Sequence, residues 1–349
     1  SNKRPSKKKK YQSTLGPIEV RKSHPFICNA LHDIAVTPLL QSHILEFSNA
    51  LPFQPAMSLL KTALPSARLS ASQAQRLAQH FGGLEEIEAL LQSPGFDIPE
   101  PPAEGGESVL YIQADGGHLL TDDGYKETKV GRLFCGQHIK QVSSDNEDVM
   151  LRNKLECSDY LAHLGHYKDF VARLNPLIDN HLRKHPHAKP VVVSDGADWI
   201  EKWQSRCYPK AEIILDFYHA AEKLCEFASM AFSSRANKEQ WVEQRKTELL
   251  GGQVEKAILA IRTKASGRRC SIVEKADATI QYYKKNSYRM KYDEYRKSGY
   301  CIGSGAIESA ISTVVQQRCK LVGQRWTKRV AAVLNLRAAF KSRKRDGVR

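Results

Sequence analysis

Three acidic residues that lie far apart in the chain have the types and settings from which a metal-dependent site can be built. Asp115 lies in a β-rich segment, and Asp195 follows an apolar run of valines. Glu308 lies in the first turn of a later predicted helix. Carboxylates that share one site raise each other's pKa unless cations lie between them. Two Mg²⁺ ions ~4 Å apart activate a water or hydroxyl for attack on a phosphodiester, so phosphodiester chemistry is expected if these acids meet.

Each acid also has an ordinary structural explanation, which the sequence alone leaves open. Asp115 precedes two glycines and fits a simple turn. Asp195 fits a strand-to-helix turn in which Asp198 caps the helix. Glu308 can simply stabilise its own helix, because an acidic side chain in the first turn interacts favourably with the helix dipole, by ~0.3–1 kcal/mol. The metal-site interpretation therefore depends on the three acids converging.

Asp216 and His219 form a second candidate pair. Residues three apart at the start of a helix lie on one face, so this carboxylate and imidazole can point together. His219 can then hydrogen-bond a phosphate oxygen near a cut or ligate a metal, although Mg²⁺ prefers oxygen to imidazole. The structural alternative is an Asp216 helix cap with His219 as a satisfied core residue.

The elements that must position these residues centre on the stretch from Lys189 to Leu224. Two apolar runs, Val191–Val193 and Ile213–Leu215, have the pattern of strands buried on both faces, as in parallel pairs. An apolar stripe at helical spacing separates them. Asp195 and Asp216 are therefore predicted at carboxyl ends of strands, where open α/β sheets place their ligands.

The segments before this stretch supply the rest of a sheet. Two β-rich pieces are joined by the turn Thr121–Gly124, which predicts an antiparallel hairpin. A third strand is expected near Tyr160–His163, and Tyr167–Leu182 has helical periodicity. The predicted order is three strands, helix, strand, helix, strand and helix.

The N-terminal part reads as mostly helical. Ser70 with Gln73 forms a possible capping box for a helix that follows a short helix and a turn. Such a pair fits either a DNA-reading helix-turn-helix or an ordinary helical pair.

Basic residues are concentrated near both ends of a chain of 349 residues with net charge +15. From Arg318 to Arg349 there are eleven basic residues and one acid, which suggests a polyanionic partner such as nucleic acid or else a solvated basic surface. Trp326 in this stretch can stack on a base or pack inward. The residues predicted to line a DNA channel are Arg318, Lys320, Arg325, Lys328 and Arg329.

Residues 226–300 are charged, helical in pattern and poor in strand signals. Six tyrosines between Tyr282 and Tyr300 alternate with basic residues. This alternation suits stacking on bases and pairing with phosphates. It equally suits a helix with an aromatic core face and a basic outer face, and the sequence does not separate the two.

The eight cysteines contain no C-x-x-C pair, which is the pattern of reduced thiols in a cytosol-like compartment. No apolar run reaches the ~18–20 residues that span a bilayer, and the basic N-terminal cluster has no apolar segment behind it. These features predict a cytoplasmic protein with no membrane partner.

Six motifs together resemble the DDE transposases of bacterial insertion sequences, specifically the Kra group, over roughly residues 108–342. The matching pieces are ADGG (114–117), ETKVGRLF (127–134), SDGADWI (194–200), ILDFYHAAEKL (214–224), GYCIGSGAIESA (299–310) and QRCKLVGQRWTKRVAAVLNLRAAFKS (317–342). The resemblance implies that Asp115, Asp195 and Glu308 are the catalytic triad. It also implies that Asp216 and His219 form the Asp-x-x-His motif shared with Mutator-like and hAT-like transposases.

The resemblance further implies an α/β fold with a ribonuclease-H-like mixed sheet, split by an all-helical insertion and preceded by a mostly helical region. The expected segments are a disordered basic tail (1–10), a DNA-binding region (11–93), a linker (94–107), a catalytic domain (108–225 with 301–342), the insertion (226–300) and a basic tail (343–349).

The implied activity is Mg²⁺-dependent cleavage at transposon ends, with Mn²⁺ as a substitute, followed by transfer of the 3′-hydroxyl into target DNA. The expected partners are double-stranded DNA and further copies of the chain on DNA, in a bacterial nucleoid. Relatives often carry paired cysteines in the N-terminal region, but here only Cys28 is present, so no zinc is predicted there. Two rival functions remain: a nuclease of the same fold without strand transfer, and a catalytically silent DNA-binding descendant.

Overall fold

The computed structural model describes residues 8–21, 34–83, 108–142 and 152–342. The N-terminal part contains a hairpin, β1 (Lys8–Ser13) and β2 (Gly16–Arg21), and three helices, α1 (Pro38–Ala50), α2 (Phe53–Ala63) and α3 (Ala71–Phe81). Lys8, Lys9 and Lys10 lie in β1, which corrects the prediction that residues 1–10 are disordered for these three positions. Their backbone is paired with β2, and this pairing outweighs the repulsion among the lysines.

The capping box predicted for α3 is confirmed. The Ser70 hydroxyl accepts from the Gln73 backbone N–H, and the Gln73 side chain accepts from the Ser70 backbone N–H. Two backbone donors that the helix leaves without partners are satisfied in this way. α1, α2 and α3 bury a common apolar core that includes Leu40, Leu60 and Leu77.

A five-stranded mixed sheet forms the centre of the protein, in the order β7-β4-β3-β8-β9. β3 pairs antiparallel with β4, which pairs antiparallel with β7, whereas β3, β8 and β9 run parallel. The predicted hairpin is confirmed, and so is the predicted order of helices and strands for the strands of this sheet. The elements are β3 (Val109–Thr121), β4 (Gly124–Cys135), β7 (Asp159–Leu164), α4 (Tyr167–Lys184), β8 (Lys189–Ser194), α5 (Asp198–Cys207) and β9 (Glu212–Leu215). A second hairpin, β5 (Ile139–Val142) and β6 (Arg152–Leu155), precedes β7 and was not predicted.

The two faces of this sheet bury different partners because side chains alternate along each strand. On one face Ile112, Val192 and Ile213 pack with residues of α4 and α5, such as Phe170 and Trp203. On the other face Tyr111, Val193 and Ile214 pack with the helices that follow β9. Some residues just beyond the strand ends continue the alternation of Tyr111, Val193 and Ile214. Their side chains therefore lie on the sheet face that the helices after β9 cover.

The insertion is helical throughout and shares its core with the sheet. Its helices follow α6 (Phe217–Ala231), and the chain breaks after Leu250 at Gly251 and Gly252. Its apolar core is continuous with the second sheet face, so it packs on the sheet rather than standing apart. The further helices are α7 (Arg235–Leu250), α8 (Val254–Ala265), α9 (Cys270–Asn286) and α10 (Tyr292–Lys297).

The tyrosines between Tyr282 and Tyr300 mostly belong to this core. Tyr283, Tyr292 and Tyr295 are buried, and Tyr288 is the one of the six that is exposed. Burial on this scale supports the core-face alternative over stacking on bases for those three residues.

The C-terminal part completes the second sheet face. α11 (Gly305–Ile311) continues through a π-helical turn (Ser312–Gln316) to Cys319, and α12 (Val330–Ser342) packs on β7 and on α3. The Arg337 guanidinium donates to the Val314 carbonyl across this turn at 2.8 Å. The predicted linker and the predicted tail at 343–349 lie outside the described residues. Among those described, every helix is too short or too polar to cross a bilayer.

Gly82, which ends α3, is predicted to be intolerant of a side chain. A Cβ at this position lies 2.0 Å from the Ala332 carbonyl oxygen of α12, and that backbone atom has no freedom to turn away. Gly82→Ala should therefore destabilise the protein by roughly 1–3 kcal/mol, the usual cost of overpacking. Thermal or urea unfolding measures this. Gly251→Ala is the matched control, because Gly251 also ends a helix at a similar φ but its Cβ meets its nearest atom at 3.5 Å. Equal losses in both variants would contradict the close-contact explanation.

Candidate active site

The three parallel strands bring three aspartates to one level at their carboxyl ends. Gln113 on β3 is in register with Val193 on β8, and Ser194 on β8 with Leu215 on β9. Continuing these registers places Asp115 beside Asp195 and Asp195 beside Asp216. Because side chains alternate along each strand, all three aspartates lie on the sheet face that the insertion covers.

Each of these carboxylates is fixed by one local backbone donor. Asp115 Oδ1 accepts from the Gly116 N–H at 2.5 Å, and Asp195 Oδ1 accepts from the Ala197 N–H at 2.9 Å. Asp216 Oδ1 accepts from the Tyr218 N–H at 2.7 Å and so caps α6, as the structural alternative for this residue predicted. Asp115 and Asp195 each keep the other oxygen for a further partner, whereas the other oxygen of Asp216 accepts a hydrogen bond from Ser304.

Glu308 reaches the same region on α11. The Ser304 hydroxyl donates to Asp216 Oδ2 and lies 3.3 Å from Glu308 Oε1, so one side chain touches both acids. Asp216 is fully buried, whereas Glu308 is exposed at the edge of the cluster. Asp216 and Glu308 are thereby neighbours although 92 positions separate them in the chain.

Gln113 ties α11 to β3. Its Oε1 accepts from the Ile307 N–H at 3.0 Å, and its Nε2 donates to the Gly303 carbonyl at 3.2 Å. Gln113 is fully buried and lies two residues before Asp115 on the same face of β3. Sequence reasoning missed both Gln113 and Ser304. The available signal was a glutamine inside the apolar run of β3, because a buried polar side chain in a strand needs a partner.

His219 lies in the first turn of α6, beside Asp216. Its Nδ1 is 4.0 Å from Asp216 Oδ2 and 3.9 Å from Glu222 Oε2, and about a third of its side chain is exposed. Ligand atoms of Asp216, His219 and Glu308 all lie within 4.8 Å of one another, a grouping that can hold a metal ion. The sequence predicted that Glu308 would group with Asp115 and Asp195. Among the described residues, those two aspartates do not belong to a grouping as tight as this one.

The charge environment nevertheless links Asp115 to the cluster. Burial raises the pKa of the Asp115 carboxyl, and the neighbouring Asp195 raises it further. The Gly116 N–H, His219 and Lys129 act in the opposite direction. Asp115 therefore responds to both Asp195 and His219, as expected for residues that border one site. The carboxylate oxygens around it are the donors that Mg²⁺ prefers, so the residues present fit such an ion.

The insertion holds the turn that carries Asp195. The Tyr282 hydroxyl donates to the Asp195 carbonyl at 3.0 Å, and Arg289 Nη2 donates to the Gly196 carbonyl at 3.4 Å. Gly196 has φ +96°, and a Cβ there lies 3.2 Å from the Tyr282 hydroxyl. The alternative in which Asp198 caps α5 is not what the structure shows, because α5 begins at Asp198 and this side chain pairs with Lys285 instead.

A cavity of about 910 Å³ opens between β4, β5 and the loop before α11. Gln113 and Gly303 line it next to the acid cluster, and the side chains of Arg132, Tyr218 and Arg296 border it. Tyr218, which follows Asp216 by two residues, is 65% exposed. The residues that hold α11 against β3 therefore border a wide opening that carries aromatic and cationic groups.

The predicted DNA-binding stretch divides into buried and exposed residues. Arg318 is 1% exposed, its Nε donates to the Ser48 carbonyl, and its guanidinium lies over the rings of Phe53 and Trp326. This burial corrects the prediction for Arg318, because a buried guanidinium is not accessible to a phosphate. Trp326 packs inward, with its ring N–H donating to the Cys319 carbonyl at 3.0 Å. The exposed cations of the stretch are Lys320, Arg325, Lys328 and Arg329.

No curated protein matches the chain. The model of one protein family matches residues 104–347, which include all five acidic and histidine residues of the site. The chain belongs to the uncharacterised protein family UPF0236.

Proposed function

We propose that this protein is a DNA transposase of the DDE type, which cleaves transposon ends and transfers the 3′-hydroxyl into target DNA. The observation that carries the proposal is the meeting of acids from four separate elements. Asp115, Asp195 and Asp216 follow three neighbouring strands, and Glu308 on α11 lies beside Asp216. The motif resemblance over residues 108–342 supplies the reaction type.

The fold proposed for this chemistry is ribonuclease-H-like. Three antiparallel strands followed by two parallel strands, with helices between them, support this assignment. An all-helical insertion between β9 and α11 supports it further, because the resemblance places the insertion there.

Asp115, Asp195 and Glu308 would hold Mg²⁺ through their carboxylate oxygens. When bound, paired divalent cations supply an activated water or hydroxyl nucleophile and stabilise the leaving oxygen. The protein's own part is positioning: Gln113 and Ser304 fix α11 against β3 and Asp216, and Tyr282 fixes the Asp195 turn. His219, about a third exposed beside Asp216, is placed to meet a phosphate oxygen or a metal ion.

A strand-transfer assay tests the proposal. The full chain is incubated with Mg²⁺, a supercoiled target plasmid and labelled DNA that carries the sequences flanking its own gene. The expected product is labelled DNA joined through its 3′ end to the plasmid. Cleavage without joining would instead indicate a nuclease. Binding without cleavage would indicate a DNA-binding descendant, and either result overturns the proposal.

The exposed basic residues after α11 should carry part of the DNA affinity. Reversing Lys320, Arg325, Lys328 and Arg329 to Glu should weaken binding across sequences, since phosphate contacts are not sequence-specific. Each lost contact should also reduce the slope of log affinity against log salt by about 1. Fluorescence anisotropy at several salt concentrations measures both effects.

The control is a reversal of four exposed cations on the opposite side of the sheet. Lys168 and Arg183 belong to α4, Arg206 to α5, and Lys210 follows α5. This variant has the same net charge as the first, so it separates a local channel from a general charge effect. Equal salt slopes in the two variants would place the DNA elsewhere.

A further inference from the structure

One nitrogen donor lies among the oxygen donors of the active site. The ligand atoms of Asp216, His219 and Glu308 lie within 4.8 Å of one another, so a point exists that is no more than about 2.8 Å from all three (4.8 Å divided by √3). Bonds from carboxylate oxygen or imidazole nitrogen to a metal such as Zn²⁺ are ~2.0–2.2 Å. Side-chain movements of less than ~1 Å therefore bring all three atoms to bonding distance from one ion.

The three side chains start from two elements that are already locked together. Asp216 and His219 lie on one face of the first turn of α6. Glu308 is on α11, which Gln113 binds to β3 and Ser304 binds to Asp216. The backbone positions of the three ligands are thus set before any ion binds, and preorganisation of this kind reduces the cost of binding.

His219 is available for an ion. Its Nδ1 lies 4.0 Å from Asp216 Oδ2 and 3.9 Å from Glu222 Oε2, and both distances exceed hydrogen-bonding range. The ring is partly exposed, so an ion can reach it from solvent. The interpretation of His219 as a satisfied core residue does not fit these distances.

We propose that Asp216, His219 and Glu308 form a mixed nitrogen and oxygen site for a first-row transition-metal dication such as Mn²⁺. Imidazole binds such ions far better than it binds Mg²⁺, whereas carboxylates accept both. The site is therefore expected to prefer Mn²⁺ over Mg²⁺, with His219 as a direct ligand. Only the role of the ion in DNA cleavage rests on the proposed function. Binding of the ion to the site requires no DNA.

Mn²⁺ binding to the full chain without DNA tests this assignment. Pulsed electron paramagnetic resonance should detect ¹⁴N coupled to bound Mn²⁺, which only a directly ligated nitrogen produces strongly. His219→Ala should remove that coupling and weaken Mn²⁺ binding by at least about 10-fold, since changing even a residue behind a metal ligand costs ~10–100-fold. Mg²⁺ affinity, measured by competition, should change less than about threefold because Mg²⁺ gains little from imidazole.

His43→Ala, in α1 and away from the site, is the matched control and should keep both the coupling and the affinity. Thermal unfolding shows whether each variant is folded. Absence of nitrogen coupling in the unaltered protein overturns the proposal, and so does coupling that persists in folded His219→Ala. Nitrogen-coupled Mn²⁺ in a protein that fails the strand-transfer assay would retain the metal site and reject the transposase.

Discussion

Replacing Asp115 with Asn should lower DNA cleavage by more than about 1000-fold, and Asp195→Asn and Glu308→Gln should do the same. Each change removes a charged oxygen ligand and keeps the shape, and loss of even one preorganised transition-state contact costs ~10²–10³-fold. DNA affinity without metal should change little, because these acids bind ions and not phosphates. Cleavage of labelled DNA in Mg²⁺, with anisotropy for binding, measures the two effects.

Asp198→Asn is the control for this set. Asp198 belongs to the same SDGAD motif as Asp195 but is exposed and pairs with Lys285 on the insertion. Exposed ion pairs contribute ~0–1 kcal/mol, so this variant should remain folded and active. Substantial Mg²⁺-dependent cleavage by any one of the three active-site variants would remove that residue from the triad.

Asp115→Asn should also leave the metal-free protein as stable as before or more stable. Burial raises the pKa of Asp115 in the folded state, so the ionised carboxylate disfavours folding at neutral pH. For a raised carboxyl pKa this penalty is absent below the unfolded value and develops as pH rises through the folded value. The unaltered protein should therefore gain stability relative to Asp115→Asn on acidification. Paired thermal melts over a pH series, with chelator present, measure this difference, and a lasting loss of stability in the variant would contradict it.

Gln113→Met should reduce cleavage by roughly 100-fold while leaving the protein folded. Methionine keeps the volume but loses the bonds to the Ile307 N–H and the Gly303 carbonyl that hold α11. Glu308 then shifts relative to Asp115, and a displacement of ~1 Å at a catalytic group can cost 10²-fold. The loss should appear in the rate at saturating DNA and not in DNA affinity.

Gln204→Met separates this positioning role from general destabilisation. Gln204 is also buried, and its Nε2 donates to the Tyr208 and Ala211 carbonyls on the opposite side of the sheet. Both variants lose buried hydrogen bonds of a glutamine, but only Gln113 contacts α11. If the two variants lost stability and cleavage in the same proportion, Gln113 would be structural only.

The local sequence patterns of the chain were sufficient to predict the sheet and part of the site. The valine run before Asp195 and the turn at Thr121–Gly124 depend on neighbouring residues, so their periodicity predicted β8 and the β3–β4 hairpin. Parallel pairing of β8 with β9 followed from the same kind of run. The convergence of Asp195 and Asp216 at one sheet edge is a direct consequence of that pairing.

Contacts between distant parts of the chain decided the rest. Gln113 meets Ile307 across 194 positions, and no periodicity in either segment signals that a glutamine on a strand will hold the first turn of a helix. Arg318 reads as a surface cation because its neighbours in sequence are basic. It is buried because α1 and Phe53, some 270 positions earlier, pack over it.

The same limit applies to the metal ligands. The sequence grouped Glu308 with Asp115 and Asp195 by residue type and by family resemblance. Only the packing of α11 against α6 through Ser304 showed that its nearest ligand partners are Asp216 and His219. Residue types and local periodicity determine which elements form and which acids reach a strand end. The side-chain bonds between elements determine which acids share an ion, because those bonds depend on distances that no local pattern encodes.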